Sequence, residues 1–284
     1  MMNTDLIIDK VKNTLITASC TFSKDKAEAY RLAIQNETNE RAGWVLEEIL
    51  KNAEIADRRR SPLCDDTGIP HLVLEVGENS VVNSLLLKSI HKGVAEGLKE
   101  LPGRPMAIRG NDIERLDQSA GISPLSEDVL PAPIHIMETS ENITRLHILM
   151  LGGGPAIRAK TYRVFHKHSV DTVVDEIVEW AKEGVSMLGC SPCTLAVGIG
   201  RSHYEATCMM LEAMVEGKYN VQSEIERVVT KRVNEANIGP LGLKGDTSVL
   251  ATFMKIAPQR ASGVRIVAIR PCCCFEPRKA SVDL

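Results

Sequence analysis

The chain has 284 residues, which is enough to bury one large core or two small ones. Its 34 basic and 37 acidic residues nearly balance, which argues against a nucleic-acid or anionic-membrane surface. No apolar run approaches a membrane span, and the N-terminus lacks the pattern of a signal peptide. We therefore expect a cytoplasmic protein whose eight cysteines stay reduced and serve metal binding or catalysis.

The first predicted elements are helices. Residues 1–60 are expected to be helical because their apolar residues recur with helical spacing. Residues 71–76 alternate like a half-buried strand. Ser80 is predicted to cap a further helix, whose apolar stripe extends from Val82 to Leu98.

The middle of the chain is less regular. Residues 101–132 show no clear period and are rich in Pro, Gly, Asp and Ser, which is typical of a functional or disordered segment. A hairpin is predicted next, with strands at 134–136 and 146–150 joined around residues 140–142. Its second strand leads directly into Gly152–Gly154.

Helices and strands continue to mix without strict alternation toward the C-terminus. The predicted elements are a helix near 170–188, a strand at 195–199, helices at about 203–216 and 221–237, and a last strand at 264–269. We predict a single α+β (irregular α/β) domain over residues 1–284. Its N-terminal part is helical, and a mixed sheet with flanking helices follows.

Three cysteine-bearing segments lie beside loop-forming residues. They are Ser61–Gly68 with Cys64, Leu188–Cys193 with Cys190, and Pro271–Arg278 with Cys272, Cys273 and Cys274. If one cysteine from each segment converges, three thiolates would hold a metal cluster and leave one iron open to solvent or substrate. Such an iron is a Lewis acid as much as an electron carrier.

Each of these signals also has a plainer interpretation. Cys64 alone could be incidental in a solvated loop. The C-x-x-C at Cys190 and Cys193 suggests zinc or a thioredoxin-like site, but it lacks a second zinc pair, and its predicted helix precedes rather than follows it. Gly152–Gly154 could bind an anion through backbone amides or form a plain turn.

Arginines in the predicted loops are the other candidates for substrate contacts. A guanidinium offers a fixed bidentate fork that suits carboxylates, although most such residues are simply on the surface. The residues concerned are Arg109, Arg115, Arg158 and Arg278.

Taken together and in order, the segments resemble the alpha subunit (N-terminal catalytic region) of the iron–sulfur hydro-lyases, the family of class I fumarase and L(+)-tartrate dehydratase. The resemblance covers nearly the whole chain. Its anchors are Pro62-Leu-Cys64-Asp-Asp-Thr-Gly68, Ile108-Arg109, Gly152–Gly154, Cys190-Ser-Pro with a downstream Gly-Ile-Gly, Asn237–Thr247, and Cys274 followed four residues later by Arg278.

The resemblance implies that Cys64, Cys190 and Cys274 bind a [4Fe–4S] cluster. Cys274 is preferred over its two neighbours because it alone places an arginine four residues further on. It also implies reversible hydration of a small 2-hydroxy dicarboxylic acid of the fumarate/malate or tartrate type. The open iron would act there as a Lewis acid.

The resemblance further implies contacts with the substrate. Asp66 would be the catalytic residue, beside the open iron, where it holds the substrate hydroxyl or a water. Arg109 would bind a substrate carboxylate, Asp65 would lie among the binding residues, and the backbone of Gly152, Gly153 and Gly154 would line the pocket. In the family the proton-abstracting threonine lies in a separate beta subunit or domain. We therefore expect activity only with a beta subunit, in a homo- or hetero-oligomer.

The chain departs from the family pattern at four positions. Asp65 replaces a glutamine, Leu151 a lysine and Arg201 a glycine, and Arg260 lies near an expected histidine. These changes spare the cluster cysteines and alter the substrate pocket. Two alternatives therefore stay open: a cysteine redox or metal-binding module, and an assembly subunit without hydratase activity.

Overall fold

The structure is a computed structural model that describes residues 3–284. Its helices are α1 (Thr4–Cys20), α2 (Lys24–Asn36), α3 (Glu40–Arg59), α4 (Ser84–Glu100), α5 (Asp112–Asp117), α6 (Gly153–Ala156), α7 (Val170–Ser186), α8 (His203–Glu216) and α9 (Glu224–Asn234). Its strands are β1 (Ile69–Gly77), β2 (His135–Thr139), β3 (Thr144–Leu151), β4 (Lys160–Phe165), β5 (Cys193–Gly200), β6 (Val249–Ile256), β7 (Val264–Cys272) and β8 (Arg278–Asp283). The predicted α+β class is confirmed.

The chain divides into two compact units. The first contains the residues up to Thr21, Ala56–Gly152 and Arg278–Leu284, and the second contains Phe22–Ile55 and Gly153–Pro277. The single domain that the sequence predicts over residues 1–284 stays a prediction. Among the described residues, no helix combines the length and the hydropathy that a membrane span requires.

In the first unit, helices α1 and α4 pack together over a four-stranded sheet of order β2-β1-β3-β8. The core between them is aliphatic and includes Leu15, Ile90, Leu146 and Ile148, all fully buried. Each such side chain stabilises the fold by about 1.5–3 kcal/mol relative to an exposed position. Strand β1 of this sheet directly follows the first cysteine loop.

The predicted hairpin is wrong in its pairing. Strand β2 pairs in parallel with β1, and β3 pairs antiparallel with β1, so that β1 lies between the two strands expected to be partners. Their connection crosses the end of β1 at Gly77, whose N–H donates to Ile143 O at 2.9 Å. A Cβ at Gly77 would lie 2.0 Å from Glu141 O, so only glycine permits this crossing.

In the second unit, the sheet has the order β4-β7-β5-β6, with β5 antiparallel to β7 and parallel to β6. All eight residues of β5 are buried, as expected for a central strand whose two faces are both covered. The apolar core on this sheet includes Ile177 of α7, Leu195 and Val197 of β5, and Val233 of α9. The predicted helices near 170–188 and 203–216 and the strand at 195–199 are confirmed.

Several predicted boundaries need correction. Helix α4 is capped by Asn83, whose Oδ1 accepts from Leu86 N–H at 3.0 Å, whereas Ser80 Oγ donates to Ile143 O at 2.8 Å. Strands β4, β6 and β8 were not predicted. Strand β8 carries charged residues, and pairing with β3 makes it a strand where its own pattern gives no signal. Residues 101–132 are largely irregular but contain α5.

Candidate metal centre

The first cysteine loop, residues 61–68, connects α3 to β1 in the first unit. Leu63 N–H donates to Ser19 O at the end of α1 at 3.0 Å, which fixes the loop next to that helix. Cys64 follows directly and is half-buried, with its Sγ 3.6 Å from Asp65 Oδ1. The backbone next to Cys64 is thus fixed, while the Cys64 residue itself stays partly exposed.

The two aspartates after Cys64 have different environments. Asp66 is half-buried, and its Oδ1 accepts from Gly68 N–H at 3.1 Å, which closes a turn on its own backbone. Asp65 has an 84% exposed side chain, and its Oδ2 lies 3.7 Å from Arg104 Nη1. The backbone N–H of Arg104 also donates to Thr67 Oγ1 at 2.8 Å. The negative charge that Asp65 introduces therefore faces a cation on the same unit.

Gly68, Gly152 and Arg278 lie at the same end of the first sheet. The register places Leu151 opposite Ile69, and Arg278 opposite Met150. Gly68 has a φ of +81°, and a Cβ there would lie 2.8 Å from Arg278 Nη2 and 2.9 Å from the Leu151 carbonyl carbon. Glycine is therefore required here for two reasons: its φ is positive, and Arg278 and Leu151 lie too close for a side chain.

Arg278 is the most buried of the loop arginines that the sequence indicated. Its side chain is 2% exposed, yet its Nε and Nη1 have no hydrogen-bond partner within residues 3–284. The sequence indicated Arg278 as a loop arginine and as part of a motif, but not as a buried residue. Its burial depends on strand β8, which the pattern did not reveal.

The other predicted substrate residues are distributed over both units. Arg109 is exposed in the irregular segment, where its backbone N–H donates to Gly121 O at 3.0 Å. Gly152 is buried directly after β3 in the first unit. Gly153 and Gly154 belong to α6 in the second unit, where Arg158 Nη1 donates to Gly154 O at 3.4 Å. Their role in a substrate pocket stays a prediction.

The second unit brings two of the three predicted metal ligands together. Cys190 lies in the exposed loop between α7 and β5, and Cys274 lies directly after β7. Cys274 N–H donates to Cys190 O at 2.9 Å. Tyr30 of α2 donates its hydroxyl to Cys274 O at 3.0 Å. The convergence of Cys64 with this pair stays a prediction.

The neighbouring cysteines Cys193 and Cys272 belong to the core. They begin β5 and end β7, respectively, and both are fully buried. Burial raises the pKa of both thiols, and Cys272 Sγ lies 3.6 Å from Met214 Sδ. Because a thiolate is the reactive form, a buried and protonated Cys193 weakens the interpretation of C-x-x-C as a redox dithiol.

The thiols of Cys273 and Cys274 interact with each other. The hydrogen bond from the Cys274 thiol lowers the pKa of Cys273, and the same bond together with burial raises the pKa of Cys274. Of the three consecutive cysteines, Cys272 is thus a core residue, and the other two share the loop after β7. The choice of Cys274 as the ligand stays a prediction.

A buried polar network supports this third cysteine segment, and sequence reasoning missed it. Lys26 of α2 is 2% exposed, and its Nζ donates to Glu276 O at 2.7 Å. Burial lowers the pKa of Lys26 to about 8, although the adjacent cysteines act against this shift. Arg270 binds the Glu276 carboxylate with its Nε at 3.2 Å and its Nη2 at 3.1 Å. Charged residues on a helix usually indicate a solvated face, so the sequence pattern gave no sign that Lys26 is buried.

The donor set is suited to a soft metal group. Within residues 3–284, no three His, Cys, Asp or Glu side chains are already arranged around a common ion position. The residues available in the predicted segments are nevertheless thiols, the ligands that iron–sulfur clusters take. The buried guanidinium of Arg278 beside the first cysteine loop adds positive charge, which suits an anionic metal–thiolate group.

Comparisons with known proteins agree with these features. A model of the family described as fumarate hydratase (Fumerase) matches residues 8–283. The chain is 25% identical over 262 residues to a protein of Methanocaldococcus jannaschii assigned as an L(+)-tartrate dehydratase subunit alpha, covering 88% of each chain. It is 21% identical over 277 residues to the L(+)-tartrate dehydratase subunit alpha of Escherichia coli K12, covering 92% of this chain and 86% of the relative.

A third relative is a longer protein. The chain is 23% identical over 259 residues to a Geobacillus stearothermophilus protein assigned as a class I fumarate hydratase, covering 86% of this chain but 48% of that protein. The family that the motif order predicted is therefore confirmed, since its model spans nearly the whole sequence. The chain belongs to the fumarate hydratase (Fumerase) family.

Proposed function

We propose that this chain is the alpha subunit of an iron–sulfur hydro-lyase. Its reaction would be the reversible hydration or dehydration of a small 2-hydroxy dicarboxylic acid of the fumarate/malate or tartrate type. Family membership over residues 8–283 supports a hydro-lyase. The observation that carries the proposal is the 2.9 Å backbone hydrogen bond that holds Cys274 beside Cys190, since both are predicted cluster ligands.

The proposed cofactor is a [4Fe–4S] cluster held by Cys64, Cys190 and Cys274. When bound with three thiolates, such a cluster supplies an open iron that acts as a Lewis acid toward a hydroxyl group. Cys190 is exposed and Cys64 half-buried, which leaves both sulfurs accessible for ligation. The reduced thiols that ligation requires are expected in the cytoplasm, where we place the protein.

The first unit would supply groups that orient the substrate. Asp66 would hold the substrate hydroxyl or a water, with its carboxylate fixed by Gly68 N–H. Arg109 would bind one carboxylate through its planar fork. Asp65 would repel a dianionic substrate, but the cation of Arg104, 3.7 Å away, reduces this repulsion. Gly152 would offer its backbone at the sheet end where Asp66 also lies, and Gly153 and Gly154 would extend this lining.

A beta subunit would complete the active site. Two of the relatives bear the name subunit alpha, which suits an enzyme that also has a second kind of subunit. That partner would carry the group that removes the proton, together with further basic side chains. Removal of a poorly acidic C–H proton requires a positioned base, so this chain alone should be inactive.

The proposal is tested by anaerobic reconstitution of the purified chain with iron and sulfide. We expect about four iron atoms per chain in the wild type and in Cys193→Ala, and loss of most iron in Cys190→Ser. Hydratase activity on fumarate, malate and tartrate is then measured with and without the beta subunit. Failure of the wild type to retain iron would contradict the cofactor, and full activity without a partner would contradict the need for a second subunit.

A further inference from the structure

Three buried polar side chains in the described part of the first unit have incomplete hydrogen bonding, and two of them, Arg278 and Ser19, belong to residues that contact the first cysteine loop. Arg278 Nε and Nη1 and Ser19 Oγ are buried without a hydrogen-bond partner among residues 3–284. The side chains are 2% and 1% exposed, so solvent does not replace the missing partners. A guanidinium is always charged, and burying it without a counter-charge costs several kcal/mol, on the order of the cost for other buried ions. A buried polar group without a partner calls for an explanation, and a bound ion or an ordered water is one.

Both residues contact the first cysteine loop, Ser19 at Leu63 and Arg278 at Gly68. Ser19 accepts the Leu63 N–H at its backbone oxygen at 3.0 Å. Arg278 Nη2 lies so close to Gly68 that a Cβ there would be 2.8 Å away. Arg278 is also near Cys20, where burial raises the thiol pKa and the positive charges of Arg60 and Arg278 act against that rise. The unpartnered donors therefore belong to residues that contact the loop in which the predicted metal ligand Cys64 lies.

We propose that Arg278 is a positioning residue that donates its Nε–H and Nη1–H to an anion bound at the first cysteine loop. This inference rests on the proposed function, because the anion it assigns is the thiolate-bound iron–sulfur group. A resident group fits better than an exchanging substrate carboxylate, since the guanidinium is almost completely excluded from solvent. Ser19 Oγ is assigned a weaker, neutral contact of the same kind.

The first test compares the stability of the metal-free chain with that of its Arg278→Met variant. In the wild type two nitrogens of the buried guanidinium lack an acceptor among residues 3–284, so we expect the metal-free variant to melt at or above the temperature of the wild type. A purely structural arginine would behave in the opposite way, and its removal would lower the melting temperature. A clear loss of metal-free stability in Arg278→Met would therefore overturn the inference.

The second test follows iron release from the reconstituted chain to a chelator under anaerobic conditions. We expect Arg278→Met to release iron about tenfold faster or more, because a hydrogen bond to a charged group is lost. Arg278→Lys, which keeps the charge without the fork, should lie between this variant and the wild type. Arg104→Met is the matched control, since it removes an exposed arginine beside the same loop and should leave the release rate unchanged.

The outcomes separate this inference from the proposed function. If the wild type holds iron and Arg278→Met releases it at the same rate, the inference is overturned while the proposed cofactor stands. If iron retention is unchanged but binding of malate or tartrate weakens, the anion is a substrate carboxylate, and the assignment to the resident group is wrong. If the wild type binds no iron, the proposed cofactor fails and the inference falls with it.

Discussion

The two regions that carry the predicted metal ligands are built differently. In the second unit, the segment after β7 is buried and supported by its own neighbours: Tyr30 binds the Cys274 carbonyl, Lys26 binds the Glu276 carbonyl, and Arg270 forms a bidentate pair with Glu276. In the first unit, loop 61–68 is partly exposed. Beside it lies a buried guanidinium with two nitrogens that have no partner within residues 3–284.

The segment after β7 therefore has its polar groups satisfied without a ligand, whereas the polar groups beside loop 61–68 need a ligand to be satisfied. A segment with satisfied buried polar groups resists local opening, whereas a buried charged group without partners is stabilised when a ligand supplies them. We therefore expect the segment after β7 to keep its conformation in the metal-free chain. Beside loop 61–68, the side chain of Arg278 should become more ordered when an anion binds. The following substitutions sharpen or break this contrast.

The largest effect is expected from removing the buried charge partner after β7. Glu276→Gln leaves the Arg270 guanidinium buried without its carboxylate, which should lower the free energy of unfolding by about 3–5 kcal/mol. The matching substitution Asp65→Asn removes the charge of an exposed partner of Arg104 and should lower the free energy of unfolding by less than about 1 kcal/mol. Denaturant unfolding of the two variants measures both effects. Equal losses at the two sites would contradict the contrast between the regions.

A smaller but still large effect is expected at Gly68. An alanine there must adopt a left-handed backbone and approach Leu151 and Arg278, which should destabilise the chain by about 2–4 kcal/mol. Gly154 is the matched control, because no atom lies within 4 Å of a Cβ built on it. Gly154→Ala should change the melting temperature little. A tolerant Gly68→Ala variant would show that the close approach to Arg278 is not needed.

Removing one hydroxyl tests the support beneath Cys274. Tyr30→Phe deletes the bond to the Cys274 carbonyl at 3.0 Å and leaves a buried acceptor, which should cost about 1 kcal/mol. Tyr162→Phe removes a hydroxyl from a half-exposed ring in the same unit and should be neutral. Thermal unfolding gives the stability change. Hydrogen exchange at the Cys274 amide shows whether the loop has loosened, as the account requires.

The smallest expected effect is a pH dependence of the first unit. Burial lowers the pKa of His147, an effect that Glu75 opposes and that Arg145 and Lys279 reinforce. The unfolded chain then binds more protons than the folded chain between the lowered pKa and the ordinary value of about 6.5. Stability should therefore fall as the pH drops through that window, by at most about 1.4 kcal/mol per pH unit.

The contribution of His147 is isolated by comparing the wild type with His147→Gln across the same pH range. Glutamine can keep the contact to Ser281, which His147 Nδ1 makes at 2.6 Å, but it does not titrate. The variant should lose stability less steeply than the wild type on acidification. Parallel curves would assign the acid sensitivity to other groups.

Local patterns predicted most elements of this fold but not their pairing. The helical spacing of apolar residues located the helices up to Arg59 and those near 170–188 and 203–216. The hairpin prediction was wrong because a third strand was inserted between its partners, and Gly77 gave no sequence signal for that crossing. Pairing of distant strands depends on tertiary packing, which a local period does not encode.

The sequence predicts candidate metal-ligating cysteines but does not predict the buried polar residues that pack beside them. Cysteine motifs in the family's order predict three ligand segments, because thiolate chemistry restricts which residue types can serve, and their role as ligands stays a prediction. No prediction from the sequence concerned Lys26, which the structure buries and whose Nζ donates to Glu276 O. The motif and the predicted loops indicated Arg278, but not its burial. Its burial follows the pairing of β8 with β3, and it leaves Nε and Nη1 without a hydrogen-bond partner among residues 3–284.

The most direct test of the central claim is Mössbauer spectroscopy of the chain reconstituted with iron-57, recorded with and without a 2-hydroxy dicarboxylic acid. The account predicts a cluster in which about one iron in four changes its signal when the acid is added, because that iron lacks a protein thiolate. The change should vanish together with the cluster in Cys190→Ser. A cluster whose iron signals do not respond to malate, fumarate or tartrate would contradict the claim.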